Sequence, residues 1–315
     1  MFTAIMKKGR IATGVLAIGA VVALAGCSSS NPMATGSSSA ADKGTLVVGS
    51  QAYYSNEIIA EIYSQALEAN GYTVDRQFQI GQREVYLPEL ESGKIDVFPE
   101  YSGSLMQALL KVTPNASVDA TASKSDAVYA ALVAALPANL KALDKSAASD
   151  QNSYTVTQAF AAANNLTTVA SLANVTTPIV IGGNSELQTR PYGPDALKSK
   201  YGINSTFLAI EDGGGPLTIK ALVDNQVQLA NVYTADPNIK SNNLVALSDP
   251  DGLFVADNVV PIVSTKVNDA AAAILNKVSA ALSEADLVSM NAQSVNDQMS
   301  ASNIAKAWLA SKALF

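Results

Sequence analysis

Apolar positions along the chain change period repeatedly. Thr45–Val48 is a short apolar run that predicts a strand. Ile58, Ile59, Ile62, Tyr63, Ala66 and Leu67 then recur at helical spacing, with Gly71 as the stop. Val74, Arg76, Phe78 and Ile80 alternate as a strand does, residues 84–92 read as a helix closed by Gly93, and residues 95–98 predict the next strand. The same alternation returns after residue 178. Strands are predicted at 178–181, 206–209 and 229–233, with helices at 193–200 and 217–224 between them. A helix is expected around 125–136. From Asp269 onward the chain reads as nearly all helix, with Ser283 placed to cap one of them. Two successive β-α-β-α-β units predict an α/β protein with two mostly parallel sheets, each flanked by helices.

The N-terminus departs from this pattern. Lys7, Lys8 and Arg10 precede an apolar run of 15 residues, Ile11 to Ala25. That is short for a membrane span and suits the hydrophobic region of an export signal. It ends in Leu24-Ala25-Gly26-Cys27, which resembles a bacterial lipobox, and Cys27 is the only cysteine of the chain. The resemblance implies a signal peptide over 1–26, cleavage before Cys27, diacylation of Cys27, and a protein held at the extracytoplasmic face of the cell membrane. Residues 27–43 are rich in Ser, Ala and Gly, a composition that reads as a flexible tether.

Composition removes several function classes. The chain has no histidine, so His-dependent triads, His-ligated metals and His proton shuttles are excluded. One cysteine allows no internal disulfide and no dithiol pair. Removing the leader with its three bases leaves 17 basic against 27 acidic residues, a net charge of −10 that argues against nucleic-acid binding. No Gly-x-Gly-x-x-Gly or phosphate-loop motif is present, and no cofactor or metal is expected. The acidic stretch Glu211-Asp212-Gly213-Gly214-Gly215-Pro216 lacks the alternating oxygen ligands of a calcium loop and reads as a flexible rim loop.

Chemistry must then come from Tyr, Asp, Glu, Asn, Arg and Gly. Tyrosine supplies 11 of the 19 aromatic residues. Tyr53, Tyr54, Tyr101, Tyr154 and Tyr233 fall at predicted strand ends or loops, where ligands bind in open α/β sheets. They either line a pocket whose π faces attract a cation or are ordinary half-buried rings.

Three stretches carry a family resemblance. They are Val48-Gly49-Ser50 with Glu68-Ala69-Asn70-Gly71-Tyr72; the run from Tyr86-Leu87-Pro88 to Pro99-Glu100-Tyr101-Ser102-Gly103; and Leu229 to Asp236. Together they resemble the glycine betaine/choline-binding proteins of ABC importers, over about residues 45–310. The resemblance implies a two-lobed periplasmic-binding-protein fold, type II, with the ligand cleft between lobes joined by two crossovers. The first lobe is expected at 44–147 with 259–315, and the second at 148–258. It further implies a monomeric, non-enzymatic receptor for osmoprotectants that binds choline, glycine betaine or a similar quaternary ammonium compound and delivers it to a permease with its ATPase.

Carried over position by position, the cage tyrosines match Tyr101, Tyr154 and Tyr233, and the carboxylate-gripping arginine matches Arg190. Arg190 is alternatively an internal partner of Glu186. Gly182-Gly183 is placed to offer backbone N–H groups to a ligand. The sequence departs from the family at two places. Gln51 stands where many members have a Lys, and Asp257 stands where a further cage Tyr is common, with Tyr53 or Tyr54 as the substitute ring. Both changes favour a cation without a carboxylate, or a polar neutral ligand. The alternatives are the same importer role with another small organic or aromatic ligand, or an enzyme or signalling receptor on the same scaffold.

Overall fold

The computed structural model describes residues 43–112 and 124–315. The expected signal peptide, Cys27 and nearly all of the expected tether lie outside the described residues. Among the described residues no helix is long and apolar enough to cross a membrane.

Ten strands form two five-stranded sheets. The first holds β1 (Thr45–Gly49), β2 (Thr73–Gln77), β3 (Val97–Tyr101) and β4 (Leu140–Ala142), joined by β10 (Val259–Ser264), in the order β2-β1-β3-β10-β4. The second holds β5 (Asn152–Thr157), β6 (Ile179–Gly183), β7 (Ser205–Ala209), β8 (Leu229–Tyr233) and β9 (Leu244–Ala246), in the order β7-β6-β8-β5-β9. Four strands of each sheet run in one direction, and the fifth, β10 or β5, runs antiparallel to both of its neighbours. That strand is in each case the one that enters by a crossover from the other sheet. The two crossovers lie side by side: Ser149 bridges Asn258, and Val259 N–H donates to the Ala148 carbonyl at 3.0 Å.

The expected α/β class and two-lobed periplasmic-binding-protein fold are the ones observed. Period-two alternation builds both faces of the first sheet. Val97, Val259 and Val263 face one core with helix α1 (Tyr54–Ala69), and Phe98, Val260 and Ile262 face the other with Tyr86 and Leu105. The apolar stripe anticipated for α1 is its buried face, with Ile58, Ile59, Ile62, Tyr63, Ala66 and Leu67 inaccessible to solvent. The chain ends in three helices. Ser283 caps the second of these through a reciprocal pair, its hydroxyl accepting from Asp286 N–H and the Asp286 carboxylate accepting from Ser283 N–H. The last helix, Ala301–Lys312, returns to the first lobe and buries Ile304 and Trp308 against α1.

The sequence pattern missed the crossover strands β5 and β10, and also the edge strands β4 and β9, whose three residues each carry no readable period. It also carried the second strand too far. The chain leaves the sheet after Gln77, and at Gln79 it turns through φ 57° before Ile80 N–H bonds to the Ser50 carbonyl.

Candidate functional site

Topology collects the polar side chains in one place. The carboxyl ends of β1, β3, β6 and β8, and the entering ends of β5 and β10, all open on a cleft between the sheets. Ligands of open α/β sheets bind at such ends. The cleft is lined by Gln51 and Tyr53 after β1, Tyr101 at the end of β3, Asn184 and Glu186 after β6, Asn231 and Tyr233 of β8, and Asp150, Asn152 and Asp257 of the crossovers.

Tyr53 is the central ring. Its centroid lies 4.8 Å from that of Tyr54 on one side and 4.8 Å from that of Tyr233 on the other. Its hydroxyl donates to Asp150 at 3.0 Å, and the Tyr54 hydroxyl donates to Asp236 at 3.0 Å. The loop at Gly213 packs on the same ring, where a Cβ would sit 3.3 Å from Tyr53 Cδ2. Side chains at the N-terminus of α1 therefore hold the lobes together. Burial pushes the Asp150 carboxyl up to about 7, against hydrogen bonds from Ala235 N–H and Tyr53 that pull it down. Burial also raises the hydroxyl pKa of Tyr53 and Tyr101, so both remain neutral donors.

Two arginines reach the cleft, and each already has a carboxylate partner. Arg83 opens helix α2 (Arg83–Glu91) and is 8% exposed. Its Nε and Nη2 donate to the two oxygens of Glu100, both at 2.9 Å. Glu100 is fully buried and also accepts from the Tyr86 hydroxyl at 2.5 Å and Tyr101 N–H at 2.9 Å. Desolvation favours a neutral Arg83, but the Glu100 charge outweighs it and holds the guanidinium above its ordinary pKa. The acid of the Pro99-Glu100-Tyr101 motif is thus an internal counter-ion, and the motif points Tyr101 into the cleft.

Arg190 lines the cleft, and the alternative pairing with Glu186 is not the one made. It pairs across the cleft with Glu84 at 2.6 and 3.2 Å rather than with Glu186. The stretch Ser185–Thr189 is a 3-10 turn, so Glu186 and Arg190 do not share the helical face that a four-residue spacing presumes.

Tyr154 is the clear correction among the expected cage residues. It is fully buried in the core of the second lobe with Leu187 and Phe254, and its hydroxyl donates to the Tyr192 carbonyl at 2.7 Å. It sits two residues into β5 past Asn152, about 7 Å from the cleft edge at the strand rise. Tyr192 takes a place in the lining instead.

Gln51 and Asp257 both line the cleft. The Asp257 oxygens are spent, however, on the N-terminus of helix α3 (Ser102–Leu109). They accept from Gly103 N–H at 2.8 Å, Ser104 N–H at 2.9 Å and Ser104 Oγ at 2.6 Å. Burial pushes this carboxyl up to about 6. Gly103 has no room for a side chain, since a Cβ there would lie 2.5 Å from the Ala256 carbonyl oxygen.

Gly182 and Gly183 pack closely against their neighbours. They are the last residues of β6, where a Cβ on Gly183 would meet Leu187 at 2.8 Å, so their lack of side chains serves close packing. The acidic stretch 211–216 is a pinned helix entry rather than a loose rim. Asp212 accepts from Leu217 and Thr218 N–H and from the Thr218 hydroxyl, and Glu211 accepts from Ser185. No group of His, Cys, Asp and Glu among the described residues has the arrangement of a metal site.

Sequence reasoning missed Arg83, Asp150, Tyr192 and the asparagines of the lining. Asp150 and Asn152 carry no local signal of their role. Arg83 had no signal at all, because its partner is 17 residues away on another element.

Comparison with known proteins follows this geometry. The family model described as the substrate binding domain of ABC-type glycine betaine transport systems matches residues 44–311. The glycine betaine-binding protein YehZ of Escherichia coli strain K12 is 25% identical over 278 residues, spanning 84% of this chain and 90% of that protein. A solved structure of a glycine betaine/carnitine/choline ABC transporter superposes with a TM-score of 0.67 at 17% identity, covering 85% of this chain and 99% of its own. A choline-binding protein of an ABC transporter, solved in complex with choline, gives a TM-score of 0.60 at 14% identity, covering 85% and 89%.

Proposed function

Because the chain belongs to the family of substrate-binding domains of ABC-type glycine betaine transport systems, we propose that its cleft holds a quaternary ammonium solute among Tyr53, Tyr101 and Tyr233. The family role is non-catalytic. The protein is an extracytoplasmic solute-binding component of an ABC importer, working with a permease and its ATPase. A quaternary ammonium has no N–H to donate, so its affinity comes from aromatic faces and from the surrounding field. One observation carries the reading: three tyrosines border a single polar cleft, two of them in ring contact, with the Asp150 carboxylate beside them. The names of the relatives, which speak of glycine betaine, carnitine and choline, agree with that chemistry.

We place the first lobe at 44–147 with 259–315 and the second at 148–258. The paired crossovers are then the hinge about which the lobes close. Arg190–Glu84, Tyr53–Asp150 and Tyr54–Asp236 are the contacts that such closure makes.

Calorimetric titration of the purified protein with choline and glycine betaine tests the ligand. Micromolar or tighter binding of at least one is expected, weakened about tenfold or more in Tyr233→Ala by loss of a ring. Absence of heat with both overturns the assignment.

Cys27 is the proposed lipid anchor. A single acyl chain binds membranes only marginally, and two give stable attachment. Cys27→Ser is expected to move the protein from the membrane to the soluble fraction, and retention at the membrane would overturn the anchor.

A further inference from the structure

The second C-terminal helix, Glu284–Val295, buries an amide in an apolar setting. Asn291 is fully buried, and Leu287 and Met290 of the same helix belong to the core of the first lobe. A buried amide weakens such a core unless it is hydrogen-bonded. Among the described residues Asn291 makes one side-chain hydrogen bond, and that bond leaves the first lobe. Its Nδ2 donates to the Ala235 carbonyl at 3.1 Å. The amide therefore gives the first lobe's own fold nothing that an apolar side chain of the same size would not give.

Ala235 lies in the turn after β8, on the second lobe's stretch of chain. It is fully buried all the same, and it belongs to the same apolar cluster as Met290 and the buried face of α1. Its backbone is held on both sides. The carbonyl accepts from Asn291, and the N–H donates to Asp150 Oδ1 at 2.9 Å. The other Asp150 oxygen accepts from the Tyr53 hydroxyl. Two residues before Ala235 is Tyr233, whose ring meets that of Tyr53, and one residue after it is Asp236, which accepts from Tyr54. Asn291 does not border the cleft. It grips, from outside the lining, the turn that carries the second lobe's contacts to Tyr53 and Tyr54.

Resting on the reading of the paired crossovers as the hinge on which the lobes close, we propose that Asn291 is a positioning residue for ligand capture: it docks the turn 233–236 on the first lobe and so raises the population of the closed cleft. In an open form the Ala235 carbonyl takes its hydrogen bond from water. In a closed form without Asn291 it is buried unpaired, which is costly. The bond thus weights closure. Where only a fraction of molecules is competent to bind, the affinity for every ligand falls by that same fraction. Asn291 therefore sets the strength of binding without choosing between ligands.

Asn291→Leu and Asn291→Ala test this, the first keeping the side chain's volume, the second reducing it, and both removing the donor. Titrated with choline and with glycine betaine, each variant should bind whatever the wild type binds about tenfold more weakly, by one factor for both ligands. The separation of the lobes gives a readout that needs no ligand. Spin labels on Val133→Cys of the first lobe and Val223→Cys of the second, both exposed positions, in a Cys27→Ser background, report that distance in the empty protein. Asn291→Leu should shift the distance distribution toward longer values. A merely structural role would lower the melting temperature and leave distances and affinities where they were. Affinities within about twofold of wild type, losses that differ between the two ligands by more than about threefold, or an unmoved distance distribution would overturn the proposal. If the wild type binds neither ligand, the quaternary ammonium reading falls by itself, and the distance distribution alone decides the role of Asn291.

Discussion

Glu100→Ala is expected to cost about 3–5 kcal/mol of folding stability, the largest effect of any single change at the cleft. The reason is what remains behind. Arg83 is 8% exposed and its guanidinium is held by both Glu100 oxygens at 2.9 Å. Truncating the acid leaves a buried cation without its counter-ion, and also frees the Tyr86 hydroxyl and Tyr101 N–H that Glu100 accepted. Chemical denaturation followed by circular dichroism would measure the loss. The double variant Glu100→Leu with Arg83→Met should regain most of it, because removing both charges together avoids the unpaired state. A loss under about 1 kcal/mol in Glu100→Ala would mean that water reaches Arg83 and that the pair is no buried counter-ion system.

The second large effect is a dependence on pH set by Asp150. Burial lifts its carboxyl to about 7. A bound cation favours the ionised form, so binding displaces a proton wherever the empty cleft holds one. Affinity for a cation should therefore fall as pH drops below about 7, with a limiting slope of about tenfold per unit. Stability of the empty protein should move the other way. The folded pKa of Asp150, about 7, lies above its ordinary 3.8, so the folded state binds more protons between those values. The stability associated with this group is therefore present at low pH and lost as pH rises through that window, by up to about 4 kcal/mol. Asp257, lifted to about 6, adds in the same direction. Titrations from about pH 6 to about pH 8 would check the first statement, and melting temperatures over about pH 5 to about pH 8 the second. In Asp150→Asn the affinity should become nearly flat over the upper half of that range. A wild-type affinity already flat there would show that Asp150 is fully ionised in the empty cleft.

Both effects arise from groups whose role no local pattern revealed. Glu100 was legible as part of a motif, and Asp150 was not legible at all. Their chemistry depends on partners brought in by long-range pairing, Arg83 from helix α2 and Ala235 from the loop after β8. Tyr101 and Tyr233 were legible for a different reason. Each ends a parallel strand, and parallel strands of such sheets end at the cleft. Tyr154 was misassigned because a family match places a residue near the cleft without giving its depth in the strand. Two residues of rise were enough to bury it. The alternative pairing of Arg190 with Glu186 failed similarly, since four-residue spacing implies contact only on an α-helix and the backbone there is a tighter turn.

What the sequence by itself determined was the succession of most helices and parallel strands, the two α/β units, the helical C-terminal segment and the absence of histidine chemistry. These follow from periodicity, capping and composition, which act within a few residues of each other. Only the tertiary structure decided which charges meet. It matched Arg83 to Glu100 and Arg190 to Glu84, and turned Asp257 to the cap of α3. Electrostatic balance in a cleft depends on distances and burial between residues far apart in the chain. Those quantities do not exist until the two sheets have assembled around it.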